Sequence, residues 1–250
     1  VSPFESRVAL ASLSGEADAA WARAADPYVG AAFLGGIALD EETRAAAREL
    51  VARDRTEFLP PDPISFIDDQ LGALADASLT PGFNVRTTDL DALSRAAVVC
   101  QDHDAIVEIN AHCRQDEMCA AGVGESLLAD AERLCEQVQT ASETGARVSV
   151  KLRTEVEGVD LPELATALDT AGADMLHVDA MDSEHVIRDV TEATTVPVIA
   201  NNGVRDRASV AEYLSYGAVA VSVGRPSDDP RVLDRVTQAT ESWFAEEVQA

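Results

Sequence analysis

Short apolar runs alternate with acidic amphipathic stretches along the whole chain, and no other feature of the sequence restricts its fold so strongly. The apolar runs occupy residues 8–12, 29–34, 82–86, 105–110, 147–152, 175–178, 196–200 and 219–223. Each is short and rich in Val, Ile or Ala, as strands buried on both faces are. Between them, apolar residues fall at helical spacing over 41–54, 90–100, 126–143, 161–171, 183–191 and 209–216. Helix-start chemistry stands at Asp40, Thr88-Asp89 and Asp206, and Gly145, Gly172 and Gly217 follow helical stretches. Strands joined by helical crossovers pair in parallel. Eight such units in about 230 residues predict a single (β/α)8 TIM barrel, an α/β fold. An open doubly wound sheet would carry a glycine-rich phosphate loop after its first strand. Ala11-Ser12-Leu13-Ser14-Gly15-Glu16 has no such pattern.

The chain reads as one barrel domain over 1–250, with no linker, repeat or low-complexity tract. Residues 53–72, with Pro60-Pro61-Asp62-Pro63, read as its longest irregular stretch, and 229–249 as a final helix closing the barrel. No apolar run reaches the length of a membrane span, and Val1-Ser2-Pro3-Phe4 does not open a signal peptide. A cytoplasmic protein without membrane contact is expected. Cys100, Cys113, Cys119 and Cys135 make no CxxC pair and match no common zinc spacing, so no metal site is expected. The 45 acidic residues against 19 basic ones leave a formal net charge of −26. Such a surface ordinarily repels nucleic acid. It also suits a halophilic cytoplasm, where a Debye length of about 3 Å screens the self-repulsion. Net charge therefore does not choose the partner.

Only one lysine, Lys151, stands among 18 arginines, in the run Val148-Ser149-Val150-Lys151-Leu152-Arg153. Lysine is a compact charge whose pKa moves readily, whereas arginine is a fixed planar fork. A lone ammonium at a strand end points to contact with a cofactor or a reacting group. In a barrel of this type, function gathers at the C-terminal strand ends. There the sequence places Asn84-Val85-Arg86, Asn110-Ala111-His112-Cys113-Arg114-Gln115, Lys151 with Arg153, His177-Val178-Asp179, Asn201-Asn202-Gly203-Val204 and Gly224-Arg225-Pro226. Glycine turns after strands 7 and 8 let backbone N–H groups approach a phosphate, with Arg225 adding positive potential.

These residues carry a resemblance to the FMN barrel of the tRNA-dihydrouridine synthases, in a short, archaeal-type form. The family's Asn-x-Gly-Cys-Pro turn resembles Asn110-Ala111-His112-Cys113-Arg114, and its Val-Lys-Ile-Arg strand resembles Val150-Lys151-Leu152-Arg153. Its Pro-Val-Ile-x-Asn-Gly turn resembles Pro197-Val198-Ile199-Ala200-Asn201-Asn202, and its Gly-Arg phosphate turn resembles Gly224-Arg225. The resemblance implies FMN as cofactor and NADPH or NADH as electron donor. It implies Cys113 as the acid that exchanges a proton at the pyrimidine C5, and Lys151 beside the flavin ring. Asn84 and Asn110 would contact ring or substrate, and Asn201, Gly203, Gly224 and Arg225 would hold the ribityl phosphate.

Three departures stand beside it. Gly-Cys-Pro is His112-Cys113-Arg114, and the basic residues that follow it in the family become Gln115-Asp116-Glu117. The family's histidine after strand 6 aligns with Asp179, while His177 lies two residues earlier on the same face. His177 reads either as a catalytic replacement or as a core histidine bonded to the barrel. After Arg225 only 25 residues remain, so no separate tRNA-binding domain is expected. Three functions stay open. One is reduction of a uridine C5=C6 bond in tRNA. The second is FMN-dependent oxidation or reduction of a free small pyrimidine, as in dihydroorotate dehydrogenases. The third is a flavin-binding barrel without catalysis. An arginine-rich face around the barrel mouth would favour the first. Oligomeric state is not legible.

Overall fold

A computed structural model describes residues 3–247. Eight parallel strands close into a barrel in chain order: β1 (Val8–Leu10), β2 (Ala31–Ala38), β3 (Thr80–Arg86), β4 (Ile106–Asn110), β5 (Arg147–Arg153), β6 (Met175–Asp179), β7 (Val198–Asn201) and β8 (Ala220–Val223). β8 returns to pair with β1, so no edge is left open. This is the (β/α)8 barrel that the alternating pattern predicts.

Two-residue periodicity decides what faces where. On the outer face, Val107 and Ile109 of β4, Val148, Val150 and Leu152 of β5, and Leu176 and Val178 of β6 join one large apolar cluster with the surrounding helices. Burying each such side chain contributes about 1.5–3 kcal/mol. The inward positions behave differently along their length. At the N-terminal end of the lumen, Phe4, Ala9, Ala31, Phe33, Ile106, Met175, Ile199 and Ala220 pack as a separate apolar plug. One step up, Ile106 gives way to Glu108 and Asn110, Met175 to His177 and Asp179, and Ala220 to Ser222. The lumen thus changes from hydrocarbon to hydrogen-bonding groups within two residues.

Residues 53–72 correct the expectation of an irregular excursion, because they contain a helix over Pro63–Gly72. Asp62 accepts hydrogen bonds from the N–H groups of Ile64 and Ser65, and Pro63 occupies the first turn, where its missing N–H costs nothing. A helix over Ala19–Ala25, capped by Asp18, also follows β1. The single helical pattern over 126–143 is two helices, Glu125–Leu128 and Ala131–Ser142, because Asp130 caps the second. The last helix spans Pro230–Glu247. Residues 248–249 of the expected helix, and Val1 and Ser2, lie outside the described residues. Among the described residues, no helix is long and apolar enough to cross a membrane.

Candidate active site

The C-terminal ends of the strands surround a cavity of about 990 Å³. Its electrostatics oppose those of the whole chain. Seven of the 19 Lys and Arg residues border it, but only three of the 45 Asp and Glu do. A chain of net charge −26 has therefore gathered cations at one opening, which suits an anionic ligand.

Asn110 organises the turn after β4. Its Oδ1 accepts from the backbone N–H of His112 at 3.1 Å and of Cys113 at 3.0 Å. Gly124 then backs onto the cysteine: its φ is +67°, and a Cβ there would lie 2.1 Å from the Cys113 carbonyl and 2.6 Å from Sγ. A side chain at 124 would push the thiol out of place. Burial raises the Cys113 pKa to about 11, against the opposing charge of Arg86. The thiol is therefore protonated at neutral pH, and the same guanidinium is there to steady a thiolate. Arg86 is itself buried, donating to Glu57 at 2.8 Å and to Ser14, while its Nε has no partner among the described residues.

His112 reaches across the mouth to β6, where its Nε2 lies 2.6 Å from Asp179 Oδ2. The other carboxylate oxygen accepts from Asn202 Nδ2 at 2.8 Å and from the Met181 N–H at 3.1 Å. Burial works to raise the Asp179 pKa, but the His112 bond and charge, Asn202 and Lys151 outweigh it. Asp179 is thus held ionised, well below the usual carboxylate range. His112 is pushed down by burial and by Lys151 and Arg153, with Asp179 opposing.

Lys151 is buried, and its ammonium makes no hydrogen bond or ion pair among the described residues. Burial lowers its pKa, and Glu108 and Asp179 counteract. An ammonium left without bonding partners at a cavity wall is a donor awaiting an acceptor.

Two expected site residues do not border the cavity. Asn84 and His177 are fully buried and belong to a polar chain beneath it. Asn110 Nδ2 donates to Asn84 Oδ1 at 2.8 Å, and Asn84 Nδ2 donates to Glu108 Oε1 at 2.7 Å. Glu108 Oε2 lies 2.8 Å from His177 Nδ1, and His177 Nε2 lies 2.7 Å from Ser222 Oγ. The structure thus places Asn84, expected beside the cofactor, and His177, expected either to act on substrate or to bond within the core, one layer below the cavity wall. Both side chains are spent on satisfying a carboxylate inside the barrel, and neither reaches the opening. Burial would neutralise Glu108, but His177, Lys151 and Asn84 keep its pKa low.

The turns after β7 and β8 have space for a ligand. A Cβ on Gly224 would meet nothing within 4 Å, and one on Gly203 only the Arg205 guanidinium at 3.8 Å. Among the described residues, the N–H groups of Gly203, Val204 and Gly224 have no backbone partner. Asn201 is tied to the Ser222 carbonyl at 3.2 Å, and Tyr213 Oη donates to the Asn202 carbonyl at 2.9 Å, which steadies the turn. Unpartnered N–H groups, open space and Arg225 together fit a phosphate. The cavity wall thus includes Asn110, Cys113, Lys151, Asn201, Gly203, Gly224 and Arg225 of the expected set. Asp179 and Asn202 enter the site as well. Asp179 was legible from its two-residue spacing to His177, but the bond from His112 had no local signal.

A sequence profile of the dihydrouridine synthase family matches residues 83–250. An uncharacterized protein of Methanocaldococcus jannaschii is 28% identical over 235 residues, which cover 89% of this chain and 89% of that protein. Among solved structures, FabK from Thermotoga maritima superposes with a TM-score of 0.58 at 17% identity, over 88% of this chain and 58% of that one. The present chain therefore spans less than two thirds of FabK. The tryptophan synthase complex from Pyrococcus furiosus gives a TM-score of 0.58 at 14% identity, over 95% of each chain. At such identities the two structures share the fold.

Proposed function

The chain belongs to the dihydrouridine synthase family, and from that premise we propose that it is an FMN-dependent oxidoreductase reducing the C5=C6 bond of a uridine in tRNA. The observation that carries this reading is the cation-rich mouth on an otherwise acidic protein. Arg55, Arg114, Arg205 and Arg225 border the opening, whereas most carboxylates lie elsewhere. A polyanion is drawn to such a face, and the reacting base must be flipped out of its stack to enter the cavity.

The residues present fit FMN at both of its ends. Gly203 and Gly224 would hold the phosphate through open backbone without a Cβ, with Asn201 and Arg225 beside them. Lys151 would meet the acceptor edge of the ring, since its ammonium has no other bond to make. When bound and reduced by NADPH or NADH, FMN supplies the hydride. Cys113 supplies the proton to C5: its pKa, raised to about 11, keeps the thiol loaded at neutral pH. Arg86 then stabilises the thiolate until solvent reprotonates it. Asn110 holds the cysteine in place through two backbone N–H groups.

The test is direct. Protein purified in high salt and loaded with FMN is incubated with NADPH and an unmodified tRNA transcript, and nucleosides are quantified by mass spectrometry. Dihydrouridine is the expected product. An FMN-loaded protein that leaves tRNA unchanged but turns over a free pyrimidine would overturn the RNA assignment and favour the small-molecule enzyme.

A further inference from the structure

The cavity wall is rich in donors, and its unpartnered acceptors among the described residues include Gln115 Oε1 and one ring nitrogen of His112. Lys151, Arg114 and Arg153 present N–H groups only. Asn110 Oδ1 is occupied by two backbone N–H groups, and both Asp179 oxygens are occupied by His112, Asn202 and Met181. Of the two unpartnered acceptors, Gln115 Oε1 is itself buried, whereas His112 opens onto the cavity. Its ring borders the cavity, and its side chain is 29% exposed. Because Asp179 is an ionised acceptor, the 2.6 Å contact requires a proton on Nε2. In the neutral imidazole Nδ1 is then a bare lone pair, and Nδ1 has no partner among the described residues.

We infer that His112 Nδ1, oriented by Asp179, is the specificity-determining acceptor of this site and reads the N–H of a cyclic imide. That chemistry, an N–H flanked by two carbonyls, complements one acceptor set among several donors. Two molecules of the reaction proposed above contain it: the uracil ring and the pyrimidine edge of the flavin. The inference rests on that reading for its ligands, while the acceptor itself belongs to this chain. The groups facing the ring are Asp179 on β6, Lys151 and Arg153 on β5, and His177 deeper in the barrel. Burial and the two neighbouring cations favour the neutral ring that an acceptor needs. Below the pKa of His112 the imidazolium carries a proton on Nδ1 and the acceptor is lost.

The experiment compares ligands that differ only at the imide. Flavin-free protein is titrated with FMN and with N3-methyl-FMN by fluorescence quenching. The FMN-loaded protein is then given RNA with uridine or 3-methyluridine at the reactive position. Wild-type protein is expected to prefer the N–H form in one of the two pairs by about tenfold or more, the worth of a hydrogen bond to a site built for it. His112→Phe should abolish that preference, and His112→Gln, which keeps an acceptor, should restore part of it. The pair that responds identifies the flavin or the substrate as the ligand read. If His112→Phe does not fold, lowering the pH on wild-type protein should erase the same preference. A preference unchanged in His112→Phe, or no preference in either pair, overturns the inference. Wild-type protein that binds no FMN at all instead overturns the flavin reading beneath it.

Discussion

The two ends of the barrel lumen are made by the same strands at alternate positions, yet they do opposite work. At the N-terminal end Phe33, Ile106, Met175 and Ile199 exclude water and hold the strands together. At the C-terminal end the rows of Ile106, Met175 and Ile199 continue as Glu108, Asn110, His177, Asp179 and Asn201, all of them polar. The Phe33 and His177 rings, 5.1 Å apart, mark the boundary. One end stores stability in packing and the other spends some of it on charge. Lys151 illustrates the second: a buried ammonium without bonds is a liability to the fold and an asset to a ligand.

Substitutions can break this contrast. The largest effect is expected from Cys113→Ala, which should lower turnover about 10²–10⁴-fold, as loss of a general acid does, with FMN binding retained. Single-turnover oxidation of the reduced enzyme by substrate would measure it. Lys151→Met should weaken FMN binding or turnover by about 10²-fold and leave thermal stability equal or higher, because no internal bond is lost. A lower melting temperature would mean that the ammonium serves the fold after all. Phe33→Ala should do the reverse: a loss of about 3–5 kcal/mol in chemical denaturation, with little change in FMN affinity at temperatures where the protein stays folded.

Glu108→Gln probes the boundary itself. It keeps the shape but removes the charge beneath Lys151, so a smaller loss of about 1–3 kcal/mol is expected, together with weaker FMN binding. The smallest and broadest effect is that of pH. Asp179 and Glu108 have folded pKa values below their unfolded ones. Their stabilisation is complete above the unfolded carboxylate range, about pH 4, and is lost as the pH falls through the folded values. His112 and His177 are also lowered, so the unfolded chain binds more protons as the pH drops below about 6.5. Both effects have the same sign, and stability should decline from near neutrality downward. Asp179→Asn should flatten the acid limb; an unaltered limb would place the sensitivity elsewhere.

Much of the barrel was legible because its signals are local. Eight apolar runs, their caps and their two-residue alternation are properties of neighbours in sequence, and they also marked Cys113, Lys151 and the two glycine turns as cavity residues. The helix over Pro63–Gly72 was missed because its proline cluster reads as a loop, although Asp62-Pro63 is also a helix start. The depth of His177 and Asn84 was not legible, because inward-facing does not mean mouth-facing. How far up the lumen a residue sits depends on strand stagger, which closure of β8 onto β1 sets.

The sequence by itself determined the repeating strand–helix unit, which inward positions are polar, and the lone ammonium. Only the tertiary structure decided which of those groups meet. The bond between His112 and Asp179 joins residues 67 positions apart, and the chain from Glu108 through His177 to Ser222 crosses three strands. Such pairings follow from barrel curvature and register. These are fixed by all eight strands at once, so no local stretch of sequence contains them.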